Sequence, residues 1–188
     1  MARWDPGAEE RLKKAALELY RERGYDNVTV TDIAERAGLT RRSYFRYFAD
    51  KREVLFAGSE RLPPALAEAV LAADPDAAPL AAVLDALARV GTVLVEQVDG
   101  VTERRAVIDA SPELQERERT KTAAVTEAIR DALKRRQVDA GTAELVAQLG
   151  TVAFRQALRQ WIEAEGRTGF GSCLHAVTGE LRAALAGA

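Results

Sequence analysis

The sequence predicts an all-α protein of about nine helices, and three observations carry that expectation. Apolar residues recur at intervals of three and four along most of the chain. No stretch of any length alternates β-branched with polar residues as a half-buried strand would. Helix starts are spelled out: Thr29 and Asp50 each precede an acid three residues on, Asp139 precedes a long periodic run, and Ser111 precedes Pro112. With 188 residues the chain can bury a sizeable core, divided here into a three-helix head, residues 1–50, and a helical body, residues 51–188.

The first helix is expected over Gly7 to Arg23, with Leu12, Ala15, Ala16, Leu19 and Tyr20 inward, ending at Gly24-Tyr25. Thr29 caps a second helix whose third residue is Asp32, a reciprocal capping box. Ile33, Ala34 and Ala37 give it a small apolar stripe, and Gly38 supplies a left-handed stop. A third helix, Arg41 to Tyr47 behind a Thr40 cap, presents Arg41, Arg42, Ser43, Tyr44, Arg46 and Tyr47. Two short capped helices joined by a glycine turn have the spacing of a helix-turn-helix. Residues 36–52 hold six cations, Arg36, Arg41, Arg42, Arg46, Lys51 and Arg52, against Asp50, in a chain of net charge −2. Such a local patch, interleaved with tyrosines, suits contact with phosphates and base edges.

A fourth helix is expected from Lys51, behind an Asp50 cap, to Leu62. Pro63-Pro64 should break or bend it before a continuation over Leu66 to Ala73, closed by Asp74-Pro75-Asp76. The fifth, Pro79 to Val98, carries Leu80, Val83, Leu84, Leu87, Val90 and Leu94 on one side and stops at Asp99-Gly100. A short sixth runs from Thr102 to Ala110. Ser111-Pro112-Glu113 opens a seventh that reaches Arg136, whose polar stretch Gln115 to Thr122 is a solvated face. Asp139 caps an eighth through Glu165, and Arg167 to Gly171 leads into a ninth ending near Leu185. Leu145, Val146, Leu149, Phe154, Leu158, Trp161 and Ile162 on the eighth, with Phe170, Leu174, Val177, Leu181 and Leu185 on the ninth, form apolar faces too wide for a monomer to hide easily.

Across Arg23-Gly24-Tyr25, the run Thr29 to Gly38, and Ser43-Tyr44-Phe45-Arg46-Tyr47-Phe48 with Asp50-Lys51, the amino-terminal third resembles the TetR family of transcriptional regulators. It departs at one place: Tyr44 then Phe45 stand where many members have phenylalanine or leucine then tyrosine, so a hydroxyl often offered to a phosphate is missing and Phe45 is left with packing or a thymine-methyl contact. The resemblance implies a DNA-binding set of Thr31, Thr40, Arg41, Arg42, Ser43, Arg46, Tyr47 and Lys51, with Tyr47 and Lys51 on the backbone. It implies a homodimer joined by the last two helices through Leu149, Leu158, Trp161, Ile162, Phe170, Leu174, Val177 and Leu181. It implies a ligand cavity in the body, for which Leu66, Val70, Leu84, Leu87, Val107, Val125, Ile129 and Phe154 are the candidate lining. The implied function is a homodimeric repressor released from a palindromic double-stranded operator by an unidentified small-molecule inducer; the alternative is a DNA-binding regulator with no inducer.

Other classes fit poorly. The chain has no nucleophile elbow, glycine-rich phosphate loop or metal-spaced His/Cys set, and a single histidine leaves little for acid–base work, so neither catalysis nor a cofactor is expected. Its one cysteine, Cys173, excludes an internal disulfide and is expected to be buried, and His175 is expected to be structural or interfacial. Asp5, Glu9, Glu10, Arg11, Lys13 and Lys14 interrupt any leader, and no apolar run nears the roughly 18 residues of a membrane span, so a cytoplasmic protein with no membrane partner is expected.

Overall fold

A computed structural model describes residues 7–96 and 100–186. They form α1 (Ala8–Arg23), α2 (Val30–Arg36), α3 (Arg41–Tyr44), two 3₁₀ turns (Glu53–Phe56 and Ser59–Arg61), α4 (Leu62–Leu71), α5 (Pro79–Glu96), α6 (Val101–Asp109), α7 (Pro112–Arg135), α8 (Ala140–Glu163) and α9 (Phe170–Ala186). The described residues contain no strand, so the chain is all-α. Asp5, the expected end of the fifth helix at Val98-Asp99, and the side chain of Leu185 lie outside the described residues.

The segment after Asp50 differs most from expectation. Lys51 to Leu62 is not an α-helix but two 3₁₀ turns separated by Gly58 at φ 80°. Pro63 and Pro64 do not bend a helix; they sit in the first turn of α4, where a missing N–H forfeits no intrahelical bond and a fixed φ favours the start. Asp50 still caps, its carboxylate accepting from the Arg52 and Glu53 N–H groups at 2.8 and 3.2 Å. The Glu53 carboxylate accepts from Arg117 Nε at 2.6 Å. Residues 45–47 tighten into turns, with Tyr47 N–H donating to Tyr44 O at 2.9 Å, so α3 is a single turn.

The chain forms two compact units. The first comprises Met1–Gly58 and Gly100–Glu118, the second Ser59–Asp99 and Arg119–Ala188. The first unit therefore extends past residue 50 and takes in α6 and the opening turns of α7. Its core joins Leu12, Leu19, Tyr20, Ile33, Tyr44 and Phe56 to Val107, Ile108 and Leu114. Val107 thus packs inside the first unit and is withdrawn from the cavity candidates. Arg104 of the same helix is half-buried, its guanidinium bonded to the Leu55 carbonyl and lying 5.3 Å from the Phe56 ring centre, and desolvation there pulls its pKa below the usual value.

The second unit buries Leu66, Val70, Leu87, Val125, Ile129 and Phe154 in one cluster, with Leu84 partly buried against it. The same cluster contains Phe170, Leu174, Val177 and Cys173 of α9. Phe170 (1% exposed), Leu174 (3%) and Val177 (7%) therefore have no surface to offer a second chain. The reason is α5, which packs directly on α9: a Cβ at Gly91 would stand 2.1 Å from the Phe170 ring, so only glycine lets the ring lie there. Leu149, Leu158, Trp161, Ile162 and Leu181 are half-buried, while Leu145 (64%) and Val152 (63%) stand out in solvent on α8. Val152 went unremarked in the sequence, although it lies two helical turns beyond Leu145 and so on the same face. His175 is exposed on α9.

A candidate nucleic-acid interface

Each part of the helix-turn-helix is closed by a local bond that its sequence supplies. Thr29 N–H donates to the Asp32 carboxylate at 2.8 Å and Asp32 N–H donates to Thr29 Oγ1 at 3.2 Å, completing the capping box of α2. The bonds from Thr29 hold the Asp32 carboxyl below the usual aspartate pKa. Gly38 at φ 69° reverses the chain, letting Leu39 N–H return to Ala34 O at 2.8 Å. Thr40 Oγ1 then accepts from Ser43 N–H at 3.1 Å and lies 3.0 Å from Ser43 Oγ, which starts α3. Both hydroxyls assigned to DNA are thereby occupied in setting the angle of the helix. Thr31 is exposed at the start of α2.

Tyr44 anchors α3 from below. It is fully buried, packs against Phe48 at 5.5 Å between ring centres, and donates its hydroxyl to Asp50 O at 2.9 Å. Burial raises its pKa well above the ordinary value, so it stays a neutral donor. With Tyr44 pointing inward, Arg41, Arg42, Phe45 and Arg46 are left exposed and Tyr47 half-buried.

Electrostatically the patch is smaller than the sequence count. Arg36 is claimed by Glu22, through two bonds of 3.0 and 2.8 Å, and by Glu18 at 3.6 Å. Arg52 closes on Asp50 at 2.6 Å, which holds that carboxyl below the usual range, and approaches Glu113 at 3.5 Å. Lys51 turns inward: its Nζ donates to the carbonyls of Tyr25 at 3.0 Å and Val28 at 3.3 Å, and lies 4.0 Å from the Tyr25 ring centre. That ammonium spends two of its three donors on its own fold, and as placed it is a brace for the turn before α2. Arg41, Arg42 and Arg46 have no ion pair with any described residue. Three guanidiniums, five N–H donors each, therefore surround one exposed helical turn with their full capacity for phosphate or guanine edges.

Among the described residues no cluster of His, Cys, Asp or Glu could hold a metal ion, and no helix is long and apolar enough to cross a membrane.

Residues 12–57 match the family described as "Bacterial regulatory proteins, tetR family". Similar curated proteins include the HTH-type transcriptional regulator TcmR of Streptomyces glaucescens, 44% identical over 45 residues, 24% of this chain and 20% of that one. Another is the uncharacterized HTH-type transcriptional regulator YvdT of Bacillus subtilis, 31% identical over 62 residues, 33% of this chain and 32% of that one. The chain thus spans a third or less of the curated relatives it matches. Solved structures share its fold over most of their length. The SmeT–triclosan complex superposes with a TM-score of 0.61 over 93% of this chain and 91% of that chain, at 17% identity. NalD, the secondary repressor of the MexAB-OprM multidrug efflux pump in Pseudomonas aeruginosa, superposes with a TM-score of 0.60 over 92% and 93%, at 17% identity.

Proposed function

We propose that this chain, whose residues 12–57 match the family described as bacterial regulatory proteins of the tetR family, is a DNA-binding transcriptional regulator, and that it works as a homodimeric repressor released from a palindromic operator by a small apolar molecule. The observation that carries the proposal is the exposed surface of α3 and the turn after it, bearing Arg41, Arg42 and Arg46 without an acidic partner among the described residues and held at a fixed angle by Thr40, Gly38 and Tyr44. Arg42 and Arg46 approach base edges or flanking phosphates, and Tyr47 supports the backbone contact.

Dimerisation is supported by α8, where exposed Leu145 and Val152 flank half-buried Leu149 on one face, and by α9, whose exposed Ser172, Ala176, Gly179 and Ala183 let another helix come close. A second copy brings the same face and closes a four-helix contact about a twofold axis. Two heads then meet two half-sites about one DNA turn, roughly 34–36 Å, apart.

The inducer site is proposed within the apolar core of the second unit, around Leu66, Val70, Leu87, Ile129 and Phe154. The Thr126 and Thr151 hydroxyls, 2.9 Å apart, give that core a polar pair for orienting a ligand. The SmeT structure is a complex with triclosan. Leu66, Val70, Leu87 and Ile129 have no exposed surface, so a ligand must select an opened core, and its apparent affinity falls by the fraction open. That same packing favours a second reading, a regulator with no inducer.

Selection of bound duplexes from a random library tests the DNA half: enrichment of an inverted repeat is expected, and enrichment of one unrepeated half-site would exclude the dimer. Thermal-shift screening of small apolar compounds against the selected duplex tests the other half. An inducer raises the melting temperature of the free protein and weakens operator binding by about 5–150-fold, the usual span of such coupling. Stabilising compounds that leave operator affinity unchanged favour the regulator with no inducer.

A further inference from the structure

Phe45 is 46% exposed, a large apolar ring among three arginines, and it is absent from the core cluster of the first unit. It contributes little to folding, yet it is not loose. The Arg41 guanidinium lies 5.5 Å from its ring centre and the Tyr44 ring meets it edge-on at 5.7 Å. Those two contacts favour one placement of an exposed ring on the turn proposed to face DNA, so less rotamer freedom is lost on binding.

A phenyl ring has no donor or acceptor. It cannot bond a phosphate, nor read the N7, O6, N6 or N4 atoms that distinguish most base pairs. One feature of the major groove remains within its chemistry, the methyl group at C5 of a pyrimidine. Resting on the DNA-binding function proposed above, we infer that Phe45 reads a C5 methyl, that of thymine in ordinary DNA, at one position of each half-site. Arg41, stacked on the same ring, keeps its N–H groups for the neighbouring phosphate or guanine. The pair then recognises two adjacent features: a methyl by contact, a charge or base edge by hydrogen bonding.

The test uses the full chain and the duplex it selects. Each thymine is replaced in turn by deoxyuridine, which removes the methyl and leaves base pairing intact. For the wild type, one thymine per half-site is expected to lose about fourfold in affinity on replacement, the worth of one buried methyl, and about 16-fold when both half-sites are changed. For Phe45→Ala, with helicity confirmed by circular dichroism, uracil and thymine at that position should bind equally. Phe45→Leu, still apolar, should keep part of the preference. Cytosine placed there should bind poorly and 5-methylcytosine should recover, which separates the methyl from the rest of the base. Equal affinities of the wild type for uracil and thymine at every position overturn the inference. So does a Phe45→Ala loss that is the same on both duplexes, which would make Phe45 a prop for Arg41. Failure to select any duplex at all overturns the DNA-binding function itself, and this inference with it.

Discussion

Replacing Lys51 by alanine separates two roles that the sequence cannot tell apart. A phosphate clamp would lose binding energy on every duplex, and the slope of log affinity against log salt would flatten by about 0.9 for each protomer. The structure assigns Lys51 to the turn before α2, bonded to the Tyr25 and Val28 carbonyls and set over the Tyr25 ring. A hydrogen bond involving a charged group contributes about 1.5–3 kcal/mol when well buried. Lys51 is half-buried, so water replaces part of both bonds, and the ring contact adds only about 0.5–1 kcal/mol at such a site. The expected cost of Lys51→Ala is then about 1–3 kcal/mol of stability, a fall of roughly 2–10 °C in melting temperature for a chain of this size. Melting followed by circular dichroism checks the first figure. Operator titrations between roughly 50 and 200 mM salt, well below the melting range, check the second, with Arg46→Ala as the variant expected to flatten the slope. Unchanged melting together with a slope flattened by about 0.9 per protomer would refute the bracing role.

Two other substitutions test the body. Leu145→Glu with Val152→Glu should leave helicity and melting nearly unchanged, because both side chains are already exposed, and should yield monomers in sedimentation; a dimer surviving both charges places the interface elsewhere. Leu174→Glu is no substitute, since it buries a charge in the core of the second unit and should unfold it. Gly91→Ala gains about 1 kcal/mol of helix propensity but drives a methyl to 2.1 Å from the Phe170 ring, so a net loss of about 1–2 kcal/mol is expected by chemical denaturation; a gain would refute the close packing of α5 on α9.

What was legible in the sequence was local. The capping box at Thr29, the cap at Thr40 and the turn at Gly38 are each settled within about five residues, so residue types at fixed offsets predict them. The start of α4 was equally local: Gly58 followed by Pro63-Pro64 marks a stop and then a first turn, a better interpretation of those prolines than a bend. The inward turn of Lys51 was illegible because its acceptors lie 26 and 23 residues earlier in the chain. The α9 stripe misled for another reason. Phe170, Leu174 and Val177 look the same whether they face a partner or their own α5, and only the 91–170 approach decides. Val107 failed likewise, because α6 packs on α1 and the sequence pattern is silent on which neighbour an apolar face will find.

The first unit is written in two pieces, and this constrains how it can be made and moved. Val107, Ile108 and Leu114 complete a core begun by Leu12 and Ile33, with forty-one residues of the other unit, Ser59–Asp99, intervening in the chain. During synthesis the DNA-reading helices emerge first but cannot close over their floor until residue 118 has left the ribosome, by which time the intervening segment is already outside and exposed. A chimera that transfers only the first 58 residues onto another regulator would carry every side chain proposed to contact bases and lose three core side chains. A portable copy of the first unit has to be cut twice, and travels with residues 100–118 or not at all.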